Sequence, residues 1–273
     1  MTDTKPVLIL GGTGKTGRRL AERLTSQGIP VRIGSRSGSP RFDWEVPETW
    51  EPAMQGVGAV YISYYPDIAV PGAAETVGAF ARLAVANGVT RMVLLSGRGE
   101  TEAQRAEEMV KASGADWTIL RCAWFSQNFS EGFLVESLRQ GEVALPVGPV
   151  GEPFVDVDDI ADAAFVALTE PGHVGQLYEL TGPLSFADAV AEIAKATGRD
   201  IRYIKISHDE FTAATAAYEL PPEIPWLLNE LFTEVLDGRN ETLTDGVQRV
   251  LGRAPKDFSA YANETAATGI WSN

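Results

Sequence analysis

The first half of the chain alternates short apolar runs with amphipathic helical patterns, and this alternation restricts the fold more than any other feature. The apolar runs lie at 6–10, 30–35, 58–63, 91–96 and 116–121. Helical patterns lie between some of them, at 14–27, 71–87 and 101–113. Strands that alternate with helices of this length form right-handed βαβ units and a parallel sheet. We therefore predict an α/β fold with a Rossmann-type, doubly wound parallel sheet.

The second half of the chain predicts a different mixture of elements. Stretch 153–168 predicts a short strand and then a helix that begins near Asp158, where acidic residues complement the helix dipole. Stretch 185–198 predicts a helix that Ser185 caps and Gly198 ends. Two further strands are predicted, at 176–182 and 201–207, and helical patterns follow from residue 208 onward.

The change of sequence pattern between the two halves predicts two domains. The sequence contains neither a long linker nor an internal repeat. We predict a dinucleotide-binding Rossmann domain over 1–182 and a smaller, mostly helical lobe over 183–273 that covers the substrate. Whether the segment of about 126–150 belongs to the lobe instead is left open.

The composition indicates in which cellular compartment we expect the protein. Of 273 residues, 44% are apolar, which is enough for a sizeable core. The single cysteine, Cys122, leaves no intramolecular disulfide framework and suits a reducing compartment. The sequence shows neither a signal-peptide pattern nor a run of ~20 apolar residues. We expect a cytoplasmic protein that has no membrane-spanning segment.

Charge narrows the class of partner. The chain has 23 Lys and Arg against 37 Asp and Glu, a net charge of −14, and its basic residues do not cluster. Such a chain repels nucleic acid. The two histidines, His173 and His208, stand apart, and no metal site is predicted. We expect a small-molecule substrate, cationic or aromatic, and a monomer or homodimer.

Three glycines follow the first predicted strand and open the first predicted helix. Gly11, Gly14 and Gly17 have the spacing G-x-x-G-x-x-G. Glycines there permit a tight turn, approach of the backbone to a pyrophosphate, and close packing of helix on strand. An ATP-binding phosphate loop that ended at Lys15 would need glycine at position 9, where the chain has Ile9. The turn therefore predicts dinucleotide binding.

The end of the second predicted strand distinguishes the two nicotinamide cofactors. NAD-binding chains usually place a carboxylate there for the ribose 2′-hydroxyl, and an arginine accommodates a 2′-phosphate. This chain has Ser35, Arg36 and Ser37 and no carboxylate. The guanidinium is a fork of donors suited to phosphate, and Lys15 lies just past the glycine turn. We predict NADP(H) as the cofactor.

Several stretches together carry a family resemblance. They are GGTGKTG at 11–17, RFDW at 41–44, WTILRCAWFSQNFSE at 117–131 and GRAPKDFSAYANE at 252–264. The chain resembles an atypical short-chain dehydrogenase/reductase of the NmrA-like group, and within it the ergot-alkaloid reductases of the festuclavine synthase and agroclavine dehydrogenase type. The resemblance implies a Rossmann domain with a small C-terminal lobe, NADPH as cofactor, and reduction of a cyclic iminium in secondary metabolism.

The resemblance also implies roles for individual positions. Asp43 would lie near the adenine, and Ser96 and Gly97 would border the nicotinamide. The 2′-phosphate would be held by Ser35, Arg36 and Ser37, and the nicotinamide ribose would pass Ala123, Trp124 and Phe125. The pyrophosphate would be held by Gly11, Thr13, Gly14, Lys15, Thr16 and Gly17. Relatives commonly carry proline where this chain has Cys122, which we interpret as a small buried residue.

A standard catalytic pair is missing. Many short-chain dehydrogenases use Tyr-x-x-x-Lys, in which the tyrosine protonates a carbonyl oxygen. The corresponding positions fall near Gly99 and Ala103, and the predicted helix that follows Ser96 contains no tyrosine. Hydride addition to an iminium carbon neutralises the nitrogen and needs no proton in that step. Such a site works by positioning the two reactants, while the cofactor carries the chemistry.

Aromatic residues follow two of the predicted strands, where open α/β sheets bind ligands. Their faces also favour a cation. We predict that the substrate contacts Tyr64, Tyr65, Trp124, Phe125, Phe129 and Tyr218. If the substrate is a carbonyl, the proton must come from Tyr64, Tyr65 or Ser96. Quinone or dye reduction, an NADP(H)-sensing regulator without turnover, and a cyclase or isomerase that keeps the cofactor as a scaffold remain alternatives.

Overall fold

The computed structural model describes residues 5–182, 184–216 and 223–272. Six of its strands form one parallel sheet in the order β2-β1-β3-β4-β5-β7, and the two others form a second, parallel pair. The strands are β1 (Val7–Leu10), β2 (Val31–Gly34), β3 (Ala59–Ile62), β4 (Arg91–Gly97), β5 (Asp116–Cys122), β6 (Glu142–Leu145), β7 (Gln176–Leu180) and β8 (Arg202–Lys205).

The helices connect these strands. They are α1 (Lys15–Ser26), α2 (Trp50–Met54), α3 (Ala73–Ala86), α4 (Thr101–Lys111), α5 (Leu134–Gln140), α6 (Val157–Thr169), α7 (Phe186–Thr197), α8 (His208–Ala216), α9 (Glu223–Glu230), α10 (Gly246–Leu251) and α11 (Phe258–Ala266). Short 3-10 turns lie at Pro47–Thr49 and Ser126–Phe129, and a π-helical turn lies at Leu231–Val235. The predicted α/β fold with a doubly wound parallel sheet is confirmed.

The central strands β1 and β3 of the large sheet are apolar on both faces. All four residues of β1 are buried, and so are all four of β3. The amphipathic helix α1 buries Leu20 and Leu24, which are one turn apart. The strands and helices named from 6 to 121 have observed ends within two residues of the predicted ones.

The chain packs into two compact units, each assembled from separate stretches of sequence. The first contains Met1–Cys122, Asp158–Leu180 and Gly246–Ala254, and it includes the six-stranded sheet. The second contains Ala123–Val157, Thr181–Asp245 and Pro255–Asn273. The segment 126–150 thus groups with later parts of the chain. The functional division at residue 182, into cofactor and substrate domains, stays a prediction.

One face of the first unit carries a cluster of aromatic side chains. Phe42, Trp50 and Phe80 are buried, and Trp44 and Tyr64 pack against them. The Trp44 and Tyr64 ring centroids lie 4.9 Å apart. The ring contacts hold the 41–50 segment against Phe80 of α3. This segment includes the start of helix α2, which the sequence pattern did not predict.

The second unit has its own core and its own two strands. Phe129, Phe154, Phe186 and Phe258 are buried together, and Trp271 Nε1 donates a 2.7 Å hydrogen bond to the Phe129 carbonyl. Helix α7 begins with the predicted Ser185 capping box and ends at Gly198 in the left-handed conformation. The four-residue strand β6 pairs with β8 and was not predicted from the sequence.

The short strand predicted at the start of 153–168 is wrong. Val155 forms only an isolated bridge with Phe125, and Gly151 another with Ser185. The apolar run of this segment is buried without a continuous ladder, because its neighbours pair at single residues. Within the residues that the structure describes, no helix is long and apolar enough to cross a bilayer.

Candidate functional site

The glycine turn joins the end of β1 to the start of α1. Gly11 has a φ of +72°, which favours glycine, and its carbonyl accepts a 2.9 Å hydrogen bond from the Gly14 amide. The turn is tight, since Gly14 is already the N-cap residue of α1. This is the strand–turn–helix context that the predicted dinucleotide turn requires.

Gly17 allows α1 to lie directly on that turn. A Cβ atom at residue 17 would overlap with the carbonyl of Gly11 and lie 2.8 Å from the Gly12 Cα. Gly12 is similarly constrained, because its Cβ would lie 2.7 Å from Ile33 Cδ1. The close backbone approach explains why the third glycine of the spacing is required.

The first turn of α1 is suited to an anion. No side chain caps its N-terminus, and its first turn contains no acidic residue. The first backbone amides of a helix lack intrahelical acceptors and carry the positive end of its dipole. Thr13 and Gly14 are exposed at this end, and Lys15 is half-buried. The turn therefore fits a pyrophosphate, as other dinucleotide-binding helices do.

The loop after β2 places the predicted 2′-phosphate residues at the surface. The Ser35 carbonyl accepts hydrogen bonds from the amides of Gly38 (3.1 Å) and Phe42 (2.9 Å), which fold the loop back on itself. Arg36 and Ser37 are exposed at its tip. The Arg36 guanidinium carbon lies 5.7 Å from the ring centroid of Tyr65, in the loop after β3. Tyr65 thus contacts the predicted phosphate arginine.

Asp43 lies beside this loop and is held at both carboxylate oxygens. Arg41 Nη2 donates to Oδ2 at 2.5 Å, and the Glu45 amide donates to Oδ1 at 3.2 Å. The hydrogen bond from Arg41 lowers the pKa of Asp43, and the positive charge of Arg36 contributes. The carboxylate is therefore charged and internally bonded. The adenine contact implied by the resemblance stays a prediction.

Ser96 and Gly97 lie at the carboxyl end of β4. The Ser96 hydroxyl is buried and donates a 2.6 Å hydrogen bond to Oε1 of Glu107 on α4. A Cβ at Gly97 would overlap with the Glu100 carboxylate. The strand end is thus packed against Glu107 of α4 and against Glu100, the N-cap residue of that helix.

A partly buried ionic network extends from Ser96 across three strands, and sequence analysis missed it. In the ladder Ser96 pairs with Arg121 of β5, which pairs with Glu179 of β7. Arg121 donates to both Glu107 oxygens, at 2.9 and 2.5 Å, and to Glu179 Oε1 at 2.8 Å. These bonds, chiefly that with Glu107, raise the pKa of Arg121. Charged residues at the ends of otherwise apolar strands were the available signal.

Cys122, the last residue of β5, is buried, in agreement with its interpretation as a small core residue. Burial raises the pKa of its thiol well above the usual range, and burial does the same to the hydroxyl of Tyr61 in β3. A thiol that stays protonated is a poor nucleophile.

The predicted substrate aromatics fall into different environments. Tyr64 is half-buried against Trp44, and burial raises the pKa of its hydroxyl. Trp124 and Phe125 are half-buried in the second unit, where Trp124 packs on Phe186 and Phe232.

Phe129, another of the predicted substrate residues, is buried. Phe129 has no exposed surface and packs in the core of the second unit on Phe154 and Phe258, so the structure places it away from any ligand surface. The reason is the 3-10 turn at Ser126–Phe129, which turns the ring inward. Tyr218 lies outside the described residues.

The fold and the glycine turn together define a dinucleotide-binding Rossmann protein. The chain belongs to the NAD(P)H-binding family, whose sequence model matches residues 11–171. It is an oxidoreductase of this family.

Curated relatives cover nearly the whole chain. It is 31% identical to an uncharacterized oxidoreductase of Bacillus subtilis, over 99% of both chains. It is 30% identical to the Prestalk A differentiation protein A of Dictyostelium discoideum, over 97% of this chain and 94% of that one. It is also 30% identical to festuclavine synthase II of Penicillium roqueforti, over 94% and 96%.

Solved structures share the fold at lower identity. An NADPH-dependent quinone oxidoreductase of Escherichia coli superposes with a TM-score of 0.79 at 22% identity, over 94% of this chain and 99% of that one. A Citrobacter triphenylmethane reductase complexed with NADP(H) gives 0.76 at 18%, over 96% and 99%. The negative transcriptional regulator NmrA gives 0.73 at 16%, over 98% of both chains.

Proposed function

We propose that the protein is an NADPH-dependent reductase that transfers a hydride to a small organic electrophile, most favourably a cyclic iminium ion in secondary metabolism. The observation that carries the proposal is the end of β4. There the hydroxyl of Ser96 already donates to Glu107, and α4 has no tyrosine in place of the usual proton donor. A site without a general acid suits an acceptor that needs only hydride.

The preference for NADPH is supported by the loop after β2. Arg36 is exposed at its tip, and no carboxylate takes the position that would bind a ribose 2′-hydroxyl. The glycine turn and the uncapped start of α1 would hold the pyrophosphate. Reduced nicotinamide, when bound, supplies the hydride.

The residues of the chain would bind, orient and exclude water rather than transfer protons. Tyr64, Trp124 and Phe125 are half-buried aromatics that we propose as substrate contacts, since aromatic faces attract a cation. Ser96 and Gly97 would border the nicotinamide, with the Ser96 oxygen kept in place by Glu107. Catalysis would then come from holding the hydride donor and the acceptor carbon together.

An acceptor other than an iminium, such as a quinone, an azo compound or a cationic triarylmethane dye, is the second candidate. The names of the quinone oxidoreductase and the triphenylmethane reductase support it, because both describe acceptors outside alcohol and ketone chemistry. A regulator that binds the cofactor without turnover is the third, and the NmrA likeness supports it at the level of the fold.

The experiment follows the near-ultraviolet absorbance of NADPH with three acceptors: a cyclic iminium, a quinone and a triarylmethane dye, each with NADH in parallel. The proposal expects NADPH-dependent loss with the iminium. Loss only with the quinone or dye would transfer the assignment to the second candidate. Tight NADPH binding in the same samples, without oxidation by any acceptor, would contradict a reductase of these classes and favour the regulator.

A further inference from the structure

The side chain of Tyr65 is exposed, and core packing does not explain its position. It follows Tyr64, whose ring packs into the aromatic cluster of the first unit, yet Tyr65 itself is 64% exposed. The group over its ring is the guanidinium of Arg36, 5.7 Å from the centroid. The two residues come from the loops after β3 and β2, strands that flank β1 in the sheet.

A nearby carboxylate, that of Asp43, is bonded to donors other than Arg36. Asp43 is close enough for the charge of Arg36 to act on it. Its two oxygens are, however, bonded by Arg41 and by the Glu45 amide. Arg41 thus offsets the charge of Asp43, and the exposed guanidinium of Arg36 keeps its own positive charge at the surface. A phosphate dianion would complement that charge.

We infer that Tyr65 is a specificity-determining residue for the cofactor: its ring holds Arg36 in the orientation that receives the 2′-phosphate of NADPH. The inference rests on the proposed use of NADPH. An arginine loses rotamer freedom when it binds a ligand, and a ring that already restrains it reduces that loss. Tyr65 thus acts through Arg36 rather than as a proton donor or a substrate contact.

The inferred role belongs to the aromatic ring of Tyr65 and not to its hydroxyl. A cation over an aromatic face is attracted by the ring, and phenylalanine provides the same face. Tyr65→Phe therefore keeps the preference for NADPH over NADH, whereas Tyr65→Leu loses part of it. A proton-donating tyrosine would show the opposite, since removal of the hydroxyl alone would lower the turnover.

The test measures dissociation constants of NADPH, NADH and adenosine 2′,5′-bisphosphate for the full-length wild type and its variants. The bisphosphate carries the 2′-phosphate without nicotinamide, so it reports this end alone. In Tyr65→Leu, NADPH and the bisphosphate weaken about two- to fivefold, the range of a surface cation–π contact, while NADH stays unchanged. Phe133→Leu, at an exposed aromatic of the second unit, is the matched control and changes none of the three.

A double-mutant cycle then shows whether Tyr65 acts through Arg36. Arg36→Ala lowers NADPH affinity by more than Tyr65→Leu does. In the Arg36→Ala background, Tyr65→Leu produces no further change in the NADPH to NADH ratio. A full Tyr65 effect in that background, or equal weakening of both cofactors, overturns the inference.

The wild type itself separates the two proposals. Equal binding of NADPH and NADH by the wild type would overturn the proposed cofactor choice, and the inference with it. A clear NADPH preference that Tyr65→Leu leaves intact would overturn the inference alone. Circular dichroism of each variant confirms that the fold is retained.

Discussion

The hydroxyl of Ser96 donates a 2.6 Å hydrogen bond to Glu107, a carboxylate with no exposed surface. Glu107 in turn accepts two hydrogen bonds from Arg121, which donates a third to Glu179. The ends of β4, β5 and β7 are therefore tied to α4 by charge-assisted bonds. The network fixes the strand end that we propose borders the nicotinamide, against a helix that lacks the catalytic tyrosine.

Glu107→Ala should strongly destabilise the protein. It removes two charge-assisted hydrogen bonds from the Arg121 guanidinium, which keeps Glu179 as a partner in this network, so the cost should be about 1.5–3 kcal/mol. Urea denaturation measures the free energy of unfolding. Glu108→Ala is the matched control on the same helix, because Glu108 is exposed and pairs with Lys111 at the surface. It should change stability by less than about 1 kcal/mol. Equal losses in the two variants would contradict the structural role of the network.

Ser96→Ala should leave hydride transfer to an iminium nearly unchanged. The step needs no proton, and the hydroxyl proton of Ser96 is already bonded to Glu107. The variant should lose about 1 kcal/mol of stability from the broken hydrogen bond. Single-turnover oxidation of NADPH measures the rate. A fall of roughly a hundredfold or more, the range of general acid catalysis, would show that Ser96 donates a proton and would favour a carbonyl substrate.

The parts of the fold that were predicted depend on short-range signals. The Gly11–Gly17 turn follows an apolar run directly, and the Ser185 cap and Gly198 stop lie at the two ends of one amphipathic pattern. Each signal is complete within about 15 residues, so tertiary packing was not needed to interpret it. The loop after β2 is also a short-range feature: Arg36 lies exposed at its tip, and its contact with a 2′-phosphate stays a prediction.

The parts that were missed depend on partners distant in sequence. Arg121 and Glu179 are 58 positions apart, and only the strand order of the sheet makes them neighbours. Phe129 follows a strand end, as ligand-binding aromatics do, but its ring is buried in the core of the second unit. Strand β6 has only four residues, and its pairing with β8 is what defines it as a strand. Such pairings carry no periodic pattern in the sequence.

Gly17→Ala should disrupt the dinucleotide turn. Its Cβ would overlap with the Gly11 carbonyl, so α1 must move away from β1 at a cost of about 1–3 kcal/mol. NADPH and NADH should both bind more weakly, because the pyrophosphate contacts are common to them. Thermal unfolding and cofactor titration measure the two effects. Gly148→Ala is the control, since the nearest atom to its Cβ is the mobile end of Lys205 at 3.5 Å. Full cofactor affinity in Gly17→Ala would contradict the assigned turn.

The Arg41–Asp43 pair should contribute a pH-dependent part of the stability. Arg41 lowers the pKa of Asp43 in the folded protein below its ordinary value of 3.8. A carboxyl whose pKa is lower when folded stabilises the protein above the unfolded pKa, and that stabilisation is lost as the pH falls through the folded pKa. Arg41→Ala should therefore be less stable than the wild type at pH 7. Because Arg41 is half exposed, salt should reduce the difference.

The measurement is the difference in free energy of unfolding between the wild type and Arg41→Ala, taken from neutral pH down to below the folded pKa of Asp43. The difference should be constant at neutral pH and shrink once the pH falls below about 4, because protonated Asp43 no longer attracts the guanidinium. A difference that grows as the solution becomes more acidic would contradict the assigned pair.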